Sequence, residues 1–230
     1  NQHTKRVGIT MINLTITKKA LPYLLPGKIV TIKIAYFSCI IGIGMGTILA
    51  LFQTSKIPLL VWPVKIFVII VRGTPMIIQI FFMYFILLNL LSPQLPAIYA
   101  AIIAIGLNSS AYVSQIIRAG INSVSTGQVE AAQVMGLTRF QTIRFIILPQ
   151  ALQMTLPALG NEFATLIKDS SLAAFIGVSE LFKEGRDVIS ITYDQVSVYI
   201  AIGIIYLILT SIASLCVNFT ERRMSCHVKD

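Results

Sequence analysis

The chain has 230 residues, 56% of them hydrophobic, and a formal net charge of +9 from 18 Lys and Arg against 9 Asp and Glu; its mean hydropathy is +0.82. That balance excludes an ordinary soluble domain, in which about 45–50% of residues are apolar, and makes lipid the solvent for most of the surface. It also excludes a nucleic-acid binder, because Lys and Arg fall in loops and at the ends of apolar runs rather than in a stripe interleaved with exposed aromatics.

Residues 1–28 are polar and basic, and Pro22 and Pro26 predict an arm without a long helix before Gly27. No short apolar core followed by a small-residue cleavage site occurs near the start, so the first span is expected to stay attached; Met11 offers an in-frame start. Apolar runs near the ~18–20 residues that cross ~30 Å of hydrocarbon begin at Ile29, Pro96 and Val196. The first span is expected over 29–52, with Lys33 near enough to its end to snorkel. Within it Gly42, Gly44 and Gly46 look superficially like a nucleotide loop, but no strand precedes them, and a GxxxG at this depth predicts close helix packing.

From 59 to 91 the chain is apolar but interrupted by Pro63, Lys65 and Arg72-Gly73-Thr74-Pro75. The spacing predicts an interfacial helix over 59–72 and a second span over 75–91, kinked at Gly73-Thr74-Pro75. A third span follows over 97–118, with Asn108, Ser109 and Ser110 near its middle. Such residues face a wet cavity or bond to a neighbouring helix rather than meet lipid. The fourth span, 154–175, contains Asn161, Glu162, Thr165, Lys168 and Asp169, which fall within an arc of roughly 120°. Residues 177–194 read as a mixed loop, and the last span covers 196–219 before Glu221-Arg222-Arg223.

The loop 121–150 between the third and fourth spans is polar and carries its own caps. Ser125 with Gln128, and Thr138 with Gln141, have capping-box spacing; Gly136 suits a left-handed helix end; Pro149 is expected to close the second short helix. With Arg139 and Arg144 placed inside, Lys56, Lys65, Arg72, Arg222 and Arg223 also fall inside, and the acidic 177–194 segment outside. Five spans then put the N-terminus outside, against the tendency of its basic arm.

No GxxxxGK[ST] phosphate loop occurs, so this chain does not hydrolyse ATP alone. His3 and His227 are the sole histidines, HExxH and GxSxG are absent, and Cys39, Cys216 and Cys226 lack CxxC spacing. No enzyme chemistry, metal site or disulfide framework follows. A passive channel lacks a filter ring and leaves the capped loop unexplained.

Glu130, Ala131 and Ala132, then Gly136, then Ile146, Leu148 and Pro149 together resemble the coupling-loop signature of bacterial ABC importer permeases. VRGTPMIIQIFFMYF (71–85), SAYVSQIIRAGI (110–121) and ALGNEFATLIKDSSLAAFIG (158–177) are similar to the polar amino acid permeases among them. The resemblance implies an all-α membrane protein with the five-span type I importer permease fold and a cytoplasmic coupling helix. It implies two ATP-binding subunits as partners, a second permease copy or paralogue, an extracytoplasmic amino acid binding protein, and a bacterial inner-membrane location with the coupling loop and C-terminus cytoplasmic. ATP would be bound by the partner, with no cofactor in this chain. Glu130, Ala131, Ala132 and Gly136 would serve coupling. In arginine- and histidine-importing relatives an amino acid lies against acidic residues corresponding to Glu162 and Asp169, with Asn161, Thr165, Asn108 and Ser109 as further candidates around it. Two acids against one Lys168 favour a basic amino acid, with a neutral or acidic amino acid or cystine as the alternative cargo that the resemblance allows, while an ion pair of Lys168 with one acid is the structural alternative.

Overall fold

Each apolar run folds as a helix, because in lipid the backbone must satisfy its own polar groups. The computed structural model describes residues 14–55, 57–88, 90 and 94–226, and among them there is no strand. In chain order the helices are α1 (Leu14–Thr54), α2 (Pro58–Gly73), α3 (Met76–Phe81, continuing as a π-helix over Phe82–Leu88), α4 (Ala97–Asn122) and α5 (Thr126–Val134). They are followed by α6 (Arg139–Thr142, continuing as a π-helix over Ile143–Ile147), α7 (Leu148–Asp169, continuing as a 3-10 helix over Ser170–Ile176), α8 (Leu181–Thr192) and α9 (Gln195–Cys226).

Leu21–Thr54, Ala97–Asn122 and Gln195–Val217 are long and apolar enough to cross a membrane. The 22 residues of α7 also have the length, but its polar stripe sets it apart. The expected kink at residues 73–75 is a bend of 109° between α2 and the α3 segment. That segment has 6 α-helical and 7 π-helical residues, about 20 Å at ~1.5 Å per residue, so it falls short of the hydrocarbon thickness unless α2 contributes.

Contacts fix the helix directions. Ser38 Oγ donates to Ile102 O at 3.1 Å, and Gln53 Nε2 to Ser114 Oγ at 3.5 Å, so α1 and α4 run parallel. Ser109 meets Glu162, Gly120 lies against Thr155, and Gly160 lies against Val217, so α7 runs opposite to α4 and α9. The end of α1, the 123–147 loop and the end of α9 therefore share one end of the bundle, and α8 lies at the other. Ile34, Ile80, Ile105, Leu166 and Ala213, from α1, α3, α4, α7 and α9, meet in the buried core.

Four expectations are corrected. The segment before Gly27 is helical from Leu14, residues 1–13 lying outside the described part. Pro22 and Pro26 lie four apart on an exposed face, while Leu24, Gly27 and Thr31 are buried against the α8 end of the bundle. Tertiary packing thus overrides the lost backbone donors. Lys33 consequently lies well inside the helix, on its exposed side.

The 177–194 segment is the amphipathic helix α8, burying Leu181, Gly185 and Val188. Its N-cap is Glu180, which is 0% exposed. Glu180 Oε1 accepts the Lys183 N–H at 2.8 Å; Oε2 accepts the Phe182 N–H at 2.9 Å, Tyr206 OH at 2.8 Å and Thr31 Oγ1 at 3.3 Å. Burial pushes this carboxyl above its ordinary value, and these donors pull the other way. The carboxylate thereby pins α1, α8 and α9 together. Asp194, half-buried before α9, is held below the usual carboxylate range by the Ser197 N–H, 3.0 Å away.

Pro149 does not close a helix. It sits in the first turn of α7, directly after the π-helical turn, where a missing N–H is tolerated. Ser125 occupies the N-cap of α5 but makes no side-chain capping bond; the Gln128 side-chain Oε1 accepts instead from Gln150 Nε2. The second capping box does form, with the Thr138 N–H donating to Gln141 Oε1 at 2.8 Å and the Gln141 N–H donating to Thr138 Oγ1 at 3.3 Å.

Candidate functional site

Glu162, Thr165 and Asp169 occur at i, i+3 and i+7 of α7, so they share one face. Asn108 and Tyr112 do the same at i and i+4 of α4. The bend after α2 adds Thr74 and Met76. These seven residues line a cavity of about 320 Å³. Of the six residues expected around a ligand, the structure brings Glu162, Asp169, Thr165 and Asn108 to the cavity wall.

Ser109 stands behind the wall. It is 1% exposed, and its hydroxyl donates to Glu162 Oε1 at 2.7 Å. Asn161 is exposed and is not part of the wall; its carbonyl accepts from Thr165 Oγ1 at 3.1 Å. Lys168 is exposed, and among the described residues the ion pair within 4 Å is Lys183 with Asp187, not Lys168 with either acid.

Gln79 is the polar residue that the sequence reading passed over. Its Nε2 faces Val71 O at 2.8 Å, Thr74 O at 3.2 Å and Thr74 Oγ1 at 2.8 Å, and its Oε1 accepts from Asn108 Nδ2 at 3.0 Å. One amide thus fastens the bend and ties it to α4. Its signal was present as a lone Gln inside an apolar run, where polar residues carry a task. Thr74, Met76 and Tyr112 were also missed. They are unremarkable in type, and only the fold brings them beside the acids.

Two carboxylates with an amide, hydroxyls and no cation in the wall suit a ligand bearing positive charge. Leaving each acid in hydrocarbon costs on the order of 2.5–3.5 kcal/mol even on an insertion scale. A second cavity, of about 460 Å³, lies between α1, α7 and α9, but Ile32, Phe163, Leu209 and its other walls are apolar and offer a charged group nothing.

At the loop, α5 ends in a Schellman motif: the Leu137 N–H donates to Ala132 O and the Gly136 N–H to Gln133 O, both at 3.0 Å, with Gly136 at φ +79°. Ala132 is buried while Glu130 and Ala131 are exposed. The sequence reading did not single out Val134 and Met135, which are 89% and 79% exposed. Phe140, on α6, is exposed as well.

A model of the family described as binding-protein-dependent transport system inner membrane component matches residues 40–225. The arginine transport system permease protein ArtQ of Bacillus subtilis (strain 168) is 35% identical over 213 residues, 93% of this chain and 97% of that protein. The L-cystine transport system permease protein TcyB of the same organism is 39% identical over 208 residues, 90% of this chain and 88% of that protein. A crystal structure of an amino acid ABC transporter with histidines superposes with a TM-score of 0.85 at 36% identity, covering 93% of this chain and 99% of that one. The helices and their directions are therefore those of a type I ABC importer permease, and the chain belongs to the binding-protein-dependent transport system inner membrane component family.

Proposed function

We propose that this chain is the membrane-spanning subunit of an ATP-driven importer that takes up a polar amino acid, with a basic side chain preferred. The observation that carries the reading is the placement of Glu162 and Asp169 on one cavity wall with Asn108 and Thr165. A basic amino acid brings two cationic groups, one for each carboxylate. A neutral one brings a single ammonium and leaves one acid to water. The similarity to ArtQ supports this preference, and the similarity to TcyB supports a second reading, in which a neutral amino acid or cystine is carried.

In this reading two ATP-binding subunits engage the 121–150 loop from the cytoplasm. A second copy or paralogue of the permease completes the pathway, and an extracytoplasmic binding protein delivers the amino acid. Five spans cross the membrane, α3 with help from α2 and α7 through its apolar side, with the coupling loop and C-terminus cytoplasmic. Closure of the ATPases moves the loops together and tilts the helices, alternating access to the cavity.

The test is substrate-stimulated ATPase activity in vesicles for wild type, Glu162→Gln and Asp169→Asn. Arginine, glutamine and cystine are each delivered by a binding protein that accepts it. Each amide removes a charge-assisted bond worth ~1.5–3 kcal/mol, so the arginine response should weaken ~10- to 100-fold and the glutamine response less. An arginine response unchanged by both amides would make the acids structural. An equal loss for all three would favour the second reading.

A further inference from the structure

An amino acid held by its cationic groups still carries an α-carboxylate, and the cavity wall holds two carboxylates and no cation to receive it. Arg72 touches that wall from outside it. It closes the last turn of α2, and its Cζ lies 5.1 Å from the centroid of the Tyr112 ring, which itself lines the cavity. At that distance the guanidinium is attracted to the ring as a cation, and its fork of N–H donors matches a carboxylate. Arg72 is exposed and has no carboxylate partner within 4 Å among the described residues. The other cations nearby differ. Lys168, exposed and off the wall as Arg72 is, already acts on the neighbouring Asp169 carboxylate, and Arg118 donates to Gln53 Oε1 at 3.4 Å.

Position is also controlled. Two residues beyond Arg72 the chain turns by 109°, and Gln79 holds the carbonyls of Val71 and Thr74 on either side of it. Arg72 is therefore presented from a fastened corner rather than from a free helix end.

We infer that Arg72 is a specificity-determining residue: beyond the Tyr112 wall of the cavity it receives the α-carboxylate of the transported amino acid. This rests on the reading of Glu162 and Asp169 as the cation-binding face. The importer then measures its substrate at two ends, and an amine without a carboxylate loses one of them. Arg72→Lys keeps the charge but loses the fork, and so should retain part of the effect.

The experiment is equilibrium binding of radiolabelled L-arginine and of its decarboxylated analogue, agmatine, to the intact permease–ATPase complex in lipid nanodiscs without binding protein. Wild type is compared with Arg72→Gln, Arg72→Lys, Glu162→Gln and Asp169→Asn, each checked for monodispersity. Losing a charge-assisted pair predicts about a 10- to 100-fold weaker arginine affinity in Arg72→Gln, a smaller loss in Arg72→Lys, and agmatine affinity unchanged in both. Equal loss of both ligands in Arg72→Gln would reduce Arg72 to a packing contact and overturn the inference, as would arginine binding unchanged. Agmatine binding that survives both amide substitutions would instead sink the acid-face reading, whatever Arg72→Gln does.

Discussion

An alanine Cβ at Gly42 would stand 2.7 Å from Ser109 Oγ and 2.9 Å from Ser109 Cβ, inside van der Waals contact. Ser109 has little freedom to withdraw, because it is buried and its hydroxyl is committed to Glu162. Gly42→Ala should therefore cost about 1–3 kcal/mol, the usual penalty for overpacking. Two residues along, a Cβ at Gly44 meets nothing within 4 Å, so Gly44→Ala should be neutral. Thermal unfolding of the purified complex checks the pair, and equal midpoints for the two variants would contradict it. That glycines of α1 serve close packing was legible from their spacing and depth. That the same glycine leaves room for the serine behind Glu162 was not, since 42, 109 and 162 meet only in three dimensions. Glu180 escaped for the same reason: its partners at 31 and 206 are remote in sequence, and alone it reads as one charge in a mixed loop.

At the scale of the element, Gly136 and the Thr138–Gln141 box were legible in the 121–150 loop, because turn chemistry is local. Gly136 takes the left-handed conformation, and its Cβ position is open, so a substitution there acts through the backbone alone. Left-handed geometry costs an L-residue roughly 1–2 kcal/mol, with Asn the tolerated exception. Gly136→Val should release the Schellman turn and lower recovery of the ATPase subunits with the permease, whereas Gly136→Asn should retain them. Co-purification in mild detergent measures this, and full recovery with Gly136→Val would count against the loop as the docking element. Pro22, Pro26 and Pro149 were misread because their local penalty was weighed without the tertiary contacts and π-turn that absorb it. The Ser125 box failed because Gln150, twenty-two residues beyond Gln128, competes for the side chain that would have closed it.

At the scale of the molecule, apolarity made the spans legible while leaving their ends undetermined. The length of α1 and the 109° bend depend on packing and on Gln79. The helix directions place the acids of α7 between the loop at one end and α8 at the other. The central claim is that the cavity on one face of α7 receives the amino acid, and two neighbouring positions on that helix separate it from its alternative. Thr165 lines the cavity and Asn161, one turn earlier, does not. In a chain with Cys39, Cys216 and Cys226 replaced, Thr165→Cys and Asn161→Cys are alkylated in the intact complex with and without saturating arginine. The account predicts that arginine slows alkylation at 165 and leaves 161 unchanged; equal rates at 165 with and without arginine would contradict it.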